Sequence, residues 1–445
     1  MDGHSRRWRR ARRKFLLTTS LALFLFFLQN ASARPCSESD VYPGYPIQKH
    51  DHKWGRPRPH PHLTGPRFDD PCSLLDLVNA DLTADEALLL IRCIRYAENG
   101  EYRNLTIDQN LDGTKIDGVG ISSVALDGVT SLGDAGVTLL AGYFNTTEPF
   151  PYPVQLTLAA AAVSSVGATA ISAAVGAAGS TVDLLRLDWN EGIGDVGARA
   201  LGNALRGNTA LRTLGLERCG IGDVGAAGLA ASLVAPSAST ARATVSASGG
   251  MATAAIRGTG SLVRALHLEG NRIGPTGAAA FANALHTSRI EKLALALNPI
   301  GPQGAQHLAR ALKQNSHLRE LDLADCGIGD DGAEALGIML RSNTVLRKLK
   351  LQGNRIGSRG AEAIAAALRI NGALRELNLR GNNLDAPAGV TLLDAVRHTK
   401  STPQAGPSLS ALYLEHCYVL PTLEAPAPMA INATLLAEVA RVVAT

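Results

Sequence analysis

Between Leu318 and Val345 the chain reads LRELDLADCGIGDDGAEALGIMLRSNTV, and the spacing of its apolar residues changes partway through. Leu318, Leu321 and Leu323 have the spacing of a short strand with a buried side, and Ile328 follows inward past a turn at Cys326. From Gly329-Asp330 onward the period lengthens to three or four residues, so that Ala333, Leu336 and Leu340 share one face of a predicted helix. One strand and one helix in 28 residues cannot bury their own apolar faces. The pattern therefore predicts neighbours of the same kind, stacked side by side.

The turn position held by Cys326 recurs along the chain as Asn190, Cys219, Asn271, Asn298, Asn354, Asn382 and Cys417, mostly in steps of 27 to 29 residues. The step from Cys219 to Asn271 is 52 residues, and its excess maps to a tract rich in Ala, Ser, Gly and Thr at about 235–260, which reads as a loop. The step from Asn382 to Cys417 is 35, with Pro403 and Pro407 in the surplus. Degenerate copies run upstream from Leu156 and Val124, and Leu105 to Ile107 is a further candidate strand. Sparse aromatics, only 4% of residues, suit thin layers packed closely rather than one bulky core.

The repeating string, L-R-E-L-D-L-x-x-C/N-x-I-G-D-x-G-A-x-A-L-x-x-x-L-x-x-N, resembles the ribonuclease inhibitor-like class of leucine-rich repeats over roughly residues 120 to 420. The resemblance implies an α/β solenoid, a curved horseshoe with a parallel sheet on its concave side and helices on its convex side. Members of the class include inhibitors of secreted ribonucleases, activators of the Ran GTPase and sensor arms of immune receptors. Protein binding is what they share, and the resemblance names no partner.

Charge first suggests a nucleic-acid ligand, since the whole chain carries +4. Seven of its basic residues, however, lie between Arg6 and Lys14, followed by an apolar run from Phe15 to Leu28 and then Ala31-Ser32-Ala33. That is the layout of a secretory signal peptide spanning residues 1–33. Its removal leaves 36 basic against 38 acidic residues, a net charge of −2, and the case for nucleic acid disappears. A signal anchor is the alternative, although a run of 14 residues is short of the roughly 20 that span a bilayer. Residues 34–70 read as a disordered linker rich in Pro, His and Arg, and its pairs His50/His52 and His60/His62 lack a carboxylate or Cys at metal-ligand spacing. Residues 71–104 are expected to form a helical cap with a capping box from Thr83 to Glu86, residues 105–420 the solenoid, and residues 421–445 a C-terminal cap helix.

Several motifs look like chemistry and are better explained by the scaffold. G-x-G-x-x-G occurs at Gly192, Gly220 and Gly327 in step with the repeat, whereas a dinucleotide site uses it once within a longer crossover. Asp195, Asp223, Asp330 and Ser358 sit where N-caps belong, with Pro275 and Pro302 at the equivalent place. Cys219, Cys326 and Cys417 are three repeats apart, about 14 Å at the strand spacing and too far for a disulfide. Cys72 and Cys93 are the candidate bridge, which leaves Cys36 odd. Asn104, Asn145 and Asn432 are glycosylation acceptors. With no nucleophile elbow, zinc-protease, P-loop or C-x-x-C motif, no enzyme, cofactor or metal site is expected.

In a strand such as Glu320-Leu321-Asp322 the leucine points inward and its neighbours face the concave surface. On that register the candidate partner-binding residues are Arg186, Asp188, Trp189, Glu217, Arg218, His267, Glu269, Asp322, Lys348, Lys350, Arg380 and Tyr413. Asp325, Glu415 and His416 lie in the same columns. Acids lead in the early repeats, Lys348, Lys350 and Arg380 read as a later basic patch, and Trp189 and Tyr413 read as aromatic anchors at exposed strand positions. The expected protein is secreted, non-enzymatic and bound to a macromolecular partner, as an inhibitor or recognition module. A Ran-type GTPase activator and a structural matrix component are the alternatives.

Overall fold

The computed structural model describes residues 73–76, 121–130, 132–144, 154–177, 179–206, 208–234, 261–401 and 409–415. The signal peptide, the 34–70 linker, the 235–260 tract, the C-terminal cap and Cys417 lie outside them. So do the Thr83 capping box, Leu105, Cys36, Cys72, Cys93, His416 and the three glycosylation acceptors.

Eleven strands form one sheet in strictly sequential order, and every described pairing is parallel. They are β1 (Ser73–Asp76), β2 (Ile121–Ala125), β3 (Val154–Thr157), β4 (Val182–Arg186), β5 (Thr213–Gly215), β6 (Ala265–His267), β7 (Lys292–Ala294), β8 (Glu320–Asp322), β9 (Lys348–Lys350), β10 (Glu376–Asn378) and β11 (Ala411–Tyr413). Nine α-helices make the described return crossings: α1 (Gly133–Phe144), α2 (Ser165–Gly176), α3 (Gly194–Leu205), α4 (Asp223–Leu233), α5 (Pro275–Leu285), α6 (Gly301–Leu312), α7 (Gly329–Leu340), α8 (Ser358–Leu368) and α9 (Ala386–Ser401). The repeat beginning at Val124 is formed, by β2 and α1. The sheet itself starts at β1, inside the segment that the sequence assigns to a helical cap. None of these helices is long and apolar enough to cross a membrane.

Register follows the leucines. Leu156, Leu185, Leu214, Leu266, Leu293, Leu321, Leu349, Leu377 and Leu412 pair directly from strand to strand, and all are buried. Because Thr213 pairs with Ala265, the long step between Cys219 and Asn271 leaves the ladder intact. From the other side α7 presents Ala333, Leu336, Met339 and Leu340, and the buried residues from Leu126 to Leu414 form one continuous core. Each fully buried leucine contributes about 1.5–3 kcal/mol relative to exposure, and the ordering of its backbone opposes much of that.

Polar joints tie each unit to the one before it. The Asn271 carboxamide oxygen accepts from the N–H groups of Cys219 and Ile221, both at 3.0 Å, while its Nδ2 donates to Leu216 and Leu268 carbonyls at 2.8 and 2.9 Å. Asn190, Asn298, Asn354 and Asn382 make the same kind of bridge. At the other end of the crossover, Asn208, Asn315, Asn343 and Asn371 donate to carbonyls of the preceding repeat at 2.6–2.7 Å. The cysteines of the first column donate instead: Sγ of Cys219 and of Cys326 each lies 3.2 Å from a carbonyl of the previous strand region. Both are buried free thiols, and burial pushes Cys326 up to about 12 and Cys219 further, so neither is a reactive thiolate.

The aspartates expected to cap their own helices cap the next one. Asp195 Oδ1 accepts from Gly222 and Gly225 at the start of α4, Asp223 from Gly274 and Gly277 at α5, and Asp330 from Gly357 and Gly360 at α8. The N-cap residues of the receiving helices, Gly222, Gly274 and Gly357, have no side chain to accept these hydrogen bonds, so the preceding repeat supplies the acceptor. Pro275 and Pro302 carry no side-chain acceptor, so the joints α5–α6 and α6–α7 rely on packing and asparagines. Among the described helices, α9 is capped from within its own turn by Asp385 on Ala388, and α2 by Ser164 on Val166.

Candidate binding face on the concave sheet

Three columns of side chains stand on the open face of the sheet, and a fourth lines its turn edge. The column before each inward leucine includes Thr213, Ala265, Lys292, Glu320, Lys348 and Glu376, and the column after it Arg186, Gly215, His267, Ala294, Asp322, Lys350, Asn378 and Tyr413. Two residues further on come Asp188, Glu217, Glu269, Ala296, Ala324, Gln352, Arg380 and Glu415. The fourth column, one residue on again, turns through positive φ at Trp189, Arg218, Gly270, Leu297, Asp325, Gly353 and Gly381. Trp189 is thus a turn-edge residue rather than a strand residue, and Tyr413 lies within β11.

Two of the sequence candidates are not available to a partner. Asp188 is 1% exposed: its carboxylate accepts from Arg186 Nε at 2.6 Å and from the Glu217 N–H at 2.9 Å. Gly215 makes room for it, since a Cβ there would lie 2.8 Å from Asp188 Oδ1. Asp127 does the same work one repeat pair earlier, accepting from the Ala159 N–H at 2.6 Å and the Thr157 hydroxyl at 3.0 Å. Asp322 is 8% exposed and accepts from the Ala324 N–H at 3.1 Å. Burial raises the Asp322 carboxyl, and the Lys350 ammonium only partly opposes it.

Nor is the later basic patch free. Lys350 Nζ lies 3.1 Å from Asp322 and 3.4 Å from Glu320, Lys348 lies 3.3 Å from Glu376, and Arg380 pairs with Glu415. Lys292, which the sequence reading passed over, reaches Glu320 at 3.6 Å. These cross-strand pairs alternate sign and leave the late repeats near neutral. Exposed pairs of this sort contribute at most about 1 kcal/mol each. The acids of the early repeats, by contrast, crowd together. Arg186 serves both Asp188 and Glu217, and His267 Nδ1 lies 3.9 Å from Glu217 and 3.5 Å from Glu269.

Crowding splits the two glutamates. Burial pushes Glu217 up to about 7, helped by the carboxylates of Glu269 and Asp188 and opposed by Arg186 and His267. Glu269 is also desolvated, but the hydrogen bond and charge of His267, its own backbone N–H and the Lys292 charge together outweigh burial, and its net shift is downward. Between pH 4.5 and about 7 the folded chain holds a proton on Glu217 that the unfolded chain has released, so this group's contribution to stability falls as pH rises through that window. Urea midpoints of wild type, measured with EDTA present, should therefore decline relative to those of Glu217→Gln across the window and run parallel to them below it. Parallel profiles at all pH values would refute the assignment.

Two aromatic–cation stacks lie on the face, one at the turn edge beyond β4 and β5 and the other beside β10 and β11. The Arg218 guanidinium sits 4.4 Å from the Trp189 ring centroid, and Arg380 sits 5.3 Å from that of Tyr413. Sequence reasoning had each residue but not the pairing. Its only signal was column position: Trp189 precedes Asn190 as Arg218 precedes Cys219.

A family profile described as leucine-rich repeat matches residues 181–202, 207–230, 261–282, 314–337 and 342–365. These segments fall on the stacked strand–helix units, whose fold is that of a leucine-rich repeat α/β solenoid. No curated protein matches it. Among solved structures, leiomodin-1 actin-binding site 2 is similar at 19% identity and TM-score 0.29, covering 38% of this chain and 87% of its own. The tropomodulin C-terminal domain of Caenorhabditis elegans aligns at 13% and 0.25 (32% and 74% covered), and the yeast Rad7 and Elc1 complex at 13% and 0.29 (65% and 74%). Scores of this size support no inference about binding.

Proposed function

We propose that this is a secreted, non-enzymatic recognition protein that holds a protein partner across its concave sheet, anchored at the Trp189–Arg218 edge. The observation carrying the proposal is an exposed stack: Trp189 is 55% exposed, with the Arg218 guanidinium 4.4 Å from its ring centroid. The left-handed turn that presents both recurs along the column, at Ala160, Leu297 and Asp325 as well as at Gly270, Gly353 and Gly381, so the backbone of the repeat fixes where the two side chains stand. A stacked tryptophan and arginine held rigid at a surface have the composition of an interface hot spot. Leucine-rich repeat solenoids generally serve as protein-interaction modules, which agrees with this reading.

Secretion is supported by the basic cluster, apolar run and small-x-small site of residues 1–33. The test joins both parts. The N-terminus of exported protein is sequenced, then wild type, Trp189→Ala and Tyr413→Ala are compared for recovery of partners from the same extracellular medium. A start at Arg34 and recovery at least tenfold lower for Trp189→Ala are expected, since hot-spot truncation costs about 2 kcal/mol or more. An intact Met1 on cytosolic protein refutes secretion, and equal recovery by all three refutes the anchor. Nothing among the described residues favours a GTPase activator or a matrix component over this reading.

A further inference from the structure

The acidic half of the concave face contains a set of groups that its ion pairs do not satisfy. Gly215 pairs with His267 across β5 and β6, and two residues beyond each lie Glu217 and Glu269, so adjacent repeats bring an imidazole and two carboxylates together. One ligand atom from each of the three lies within 4.8 Å of the others. His267 Nδ1 lies 3.5 Å from Glu269 Oε1 and 3.9 Å from Glu217 Oε1. The second oxygen, Glu269 Oε2, is shut off from solvent and has no hydrogen-bond partner. A buried carboxylate oxygen left so is costly and calls for an occupant.

We propose that Glu217, His267 and Glu269 form a binding site for a divalent transition-metal ion of the zinc class. Donors around tetrahedral zinc lie about 3.3 Å apart, given bonds near 2.0–2.1 Å, so atoms now within 4.8 Å need to close by about 1.5 Å at most, within the reach of glutamate side chains. Imidazole nitrogen beside carboxylate oxygen selects zinc-class ions over calcium and magnesium, which take oxygen alone. Charge agrees. With Glu217 ionised as a ligand, Asp188, Glu217 and Glu269 supply three negative charges against the one positive charge of Arg186, which contacts Asp188 and Glu217, and a divalent ion balances the remaining two. The flanking charges, Lys292 and Asp322, offset each other. His267 stands in β6, Glu217 and Glu269 stand two residues beyond the ends of β5 and β6 in equivalent turns, and three protein donors leave at least one position on the ion open. The site stands on its own geometry and survives a failure of the tryptophan-anchor proposal.

The exported chain, stripped with EDTA, is titrated with zinc sulfate near neutral pH against a chromophoric chelator, beside His267→Ala, Glu217→Gln and Glu269→Gln. Each variant should lose one equivalent of tightly bound zinc, with affinity at that site falling at least tenfold. Any zinc held by the pairs His50/His52 and His60/His62 should remain unchanged in all three. X-ray absorption on wild type at one equivalent should show oxygen and nitrogen ligands with a single imidazole, a readout that needs no variant to fold. A His267→Ala protein that keeps every equivalent, or a wild-type spectrum with two imidazoles or with sulfur, overturns the site.

Discussion

Replacing Asn354 with alanine is expected to destabilise the array by roughly 3–5 kcal/mol, because it strands several buried backbone groups at once. Asn354 is fully buried; its Oδ1 accepts from Cys326 and Ile328 N–H groups at 2.9 and 3.2 Å, and its Nδ2 donates to the Leu323 carbonyl at 2.7 Å. Alanine leaves all three without partners and too deep for water. Cysteine, which fills this column at Cys219 and Cys326, should cost less than half as much. In the native repeats its thiol donates to a carbonyl and accepts from an N–H, as Cys326 does with Leu295 and Asn298. The measurement is the urea transition by circular dichroism. An Asn354→Ala protein within about 1 kcal/mol of wild type would show that the bridge is incidental. Because contacts in a solenoid run only between neighbours, the transition should also broaden as the two sides of the lost joint come apart separately.

The second large effect is expected at Gly337. A Cβ at this position would lie 2.7 Å from the carbonyl oxygen of Ala363 and 2.8 Å from its carbon, in the backbone of α8. Backbone cannot step aside as a side chain can, so Gly337→Val should force α7 and α8 apart at a cost of about 2–4 kcal/mol. Gly202 makes the same approach to Gly228 between α3 and α4. Gly142 is the informative contrast. It lies exposed on α1 with nothing within 4 Å of its added Cβ, and Gly142→Ala should stabilise by about 0.5–1 kcal/mol through helix propensity alone. Thermal unfolding of the two variants separates helix propensity from close approach. The same sign for both would contradict the packing.

What the sequence made legible was whatever repeats. The inward leucines, the helix face of Ala333, Leu336 and Leu340, and the Asn/Cys turn column follow from spacing alone, because a side chain's direction along a strand or helix is periodic. What spacing cannot show is which repeat a polar group serves. Asp195, Asp223 and Asp330 stand at the expected cap positions, yet their hydrogen bonds run to the following helix. Similarly, Lys348, Lys350 and Arg380 look like a patch when written in a line, and only the pairing of neighbouring strands shows each beside an acid. Asp188 reads as a surface charge until Gly215 is noticed opposite Arg186, one strand over. That glycine inside a strand was the available signal for a close approach, and it was missed.

The asparagine and aspartate joints share a property with a consequence for how such a chain is made. Each ends on main-chain N–H or C=O groups, which every residue carries, rather than on a matching side chain. A unit fits beside any other that keeps the turn-column Asn or Cys and the leucine row, so units can be duplicated or exchanged without a compensating change next door. Apart from Asp127 and Asp188, which also accept a main-chain N–H of the following repeat, the residues at the open face take no part in these joints and are free to diverge. Growth of the scaffold and diversification of its surface are thereby separated, in the way an alphabet is separate from the words written in it.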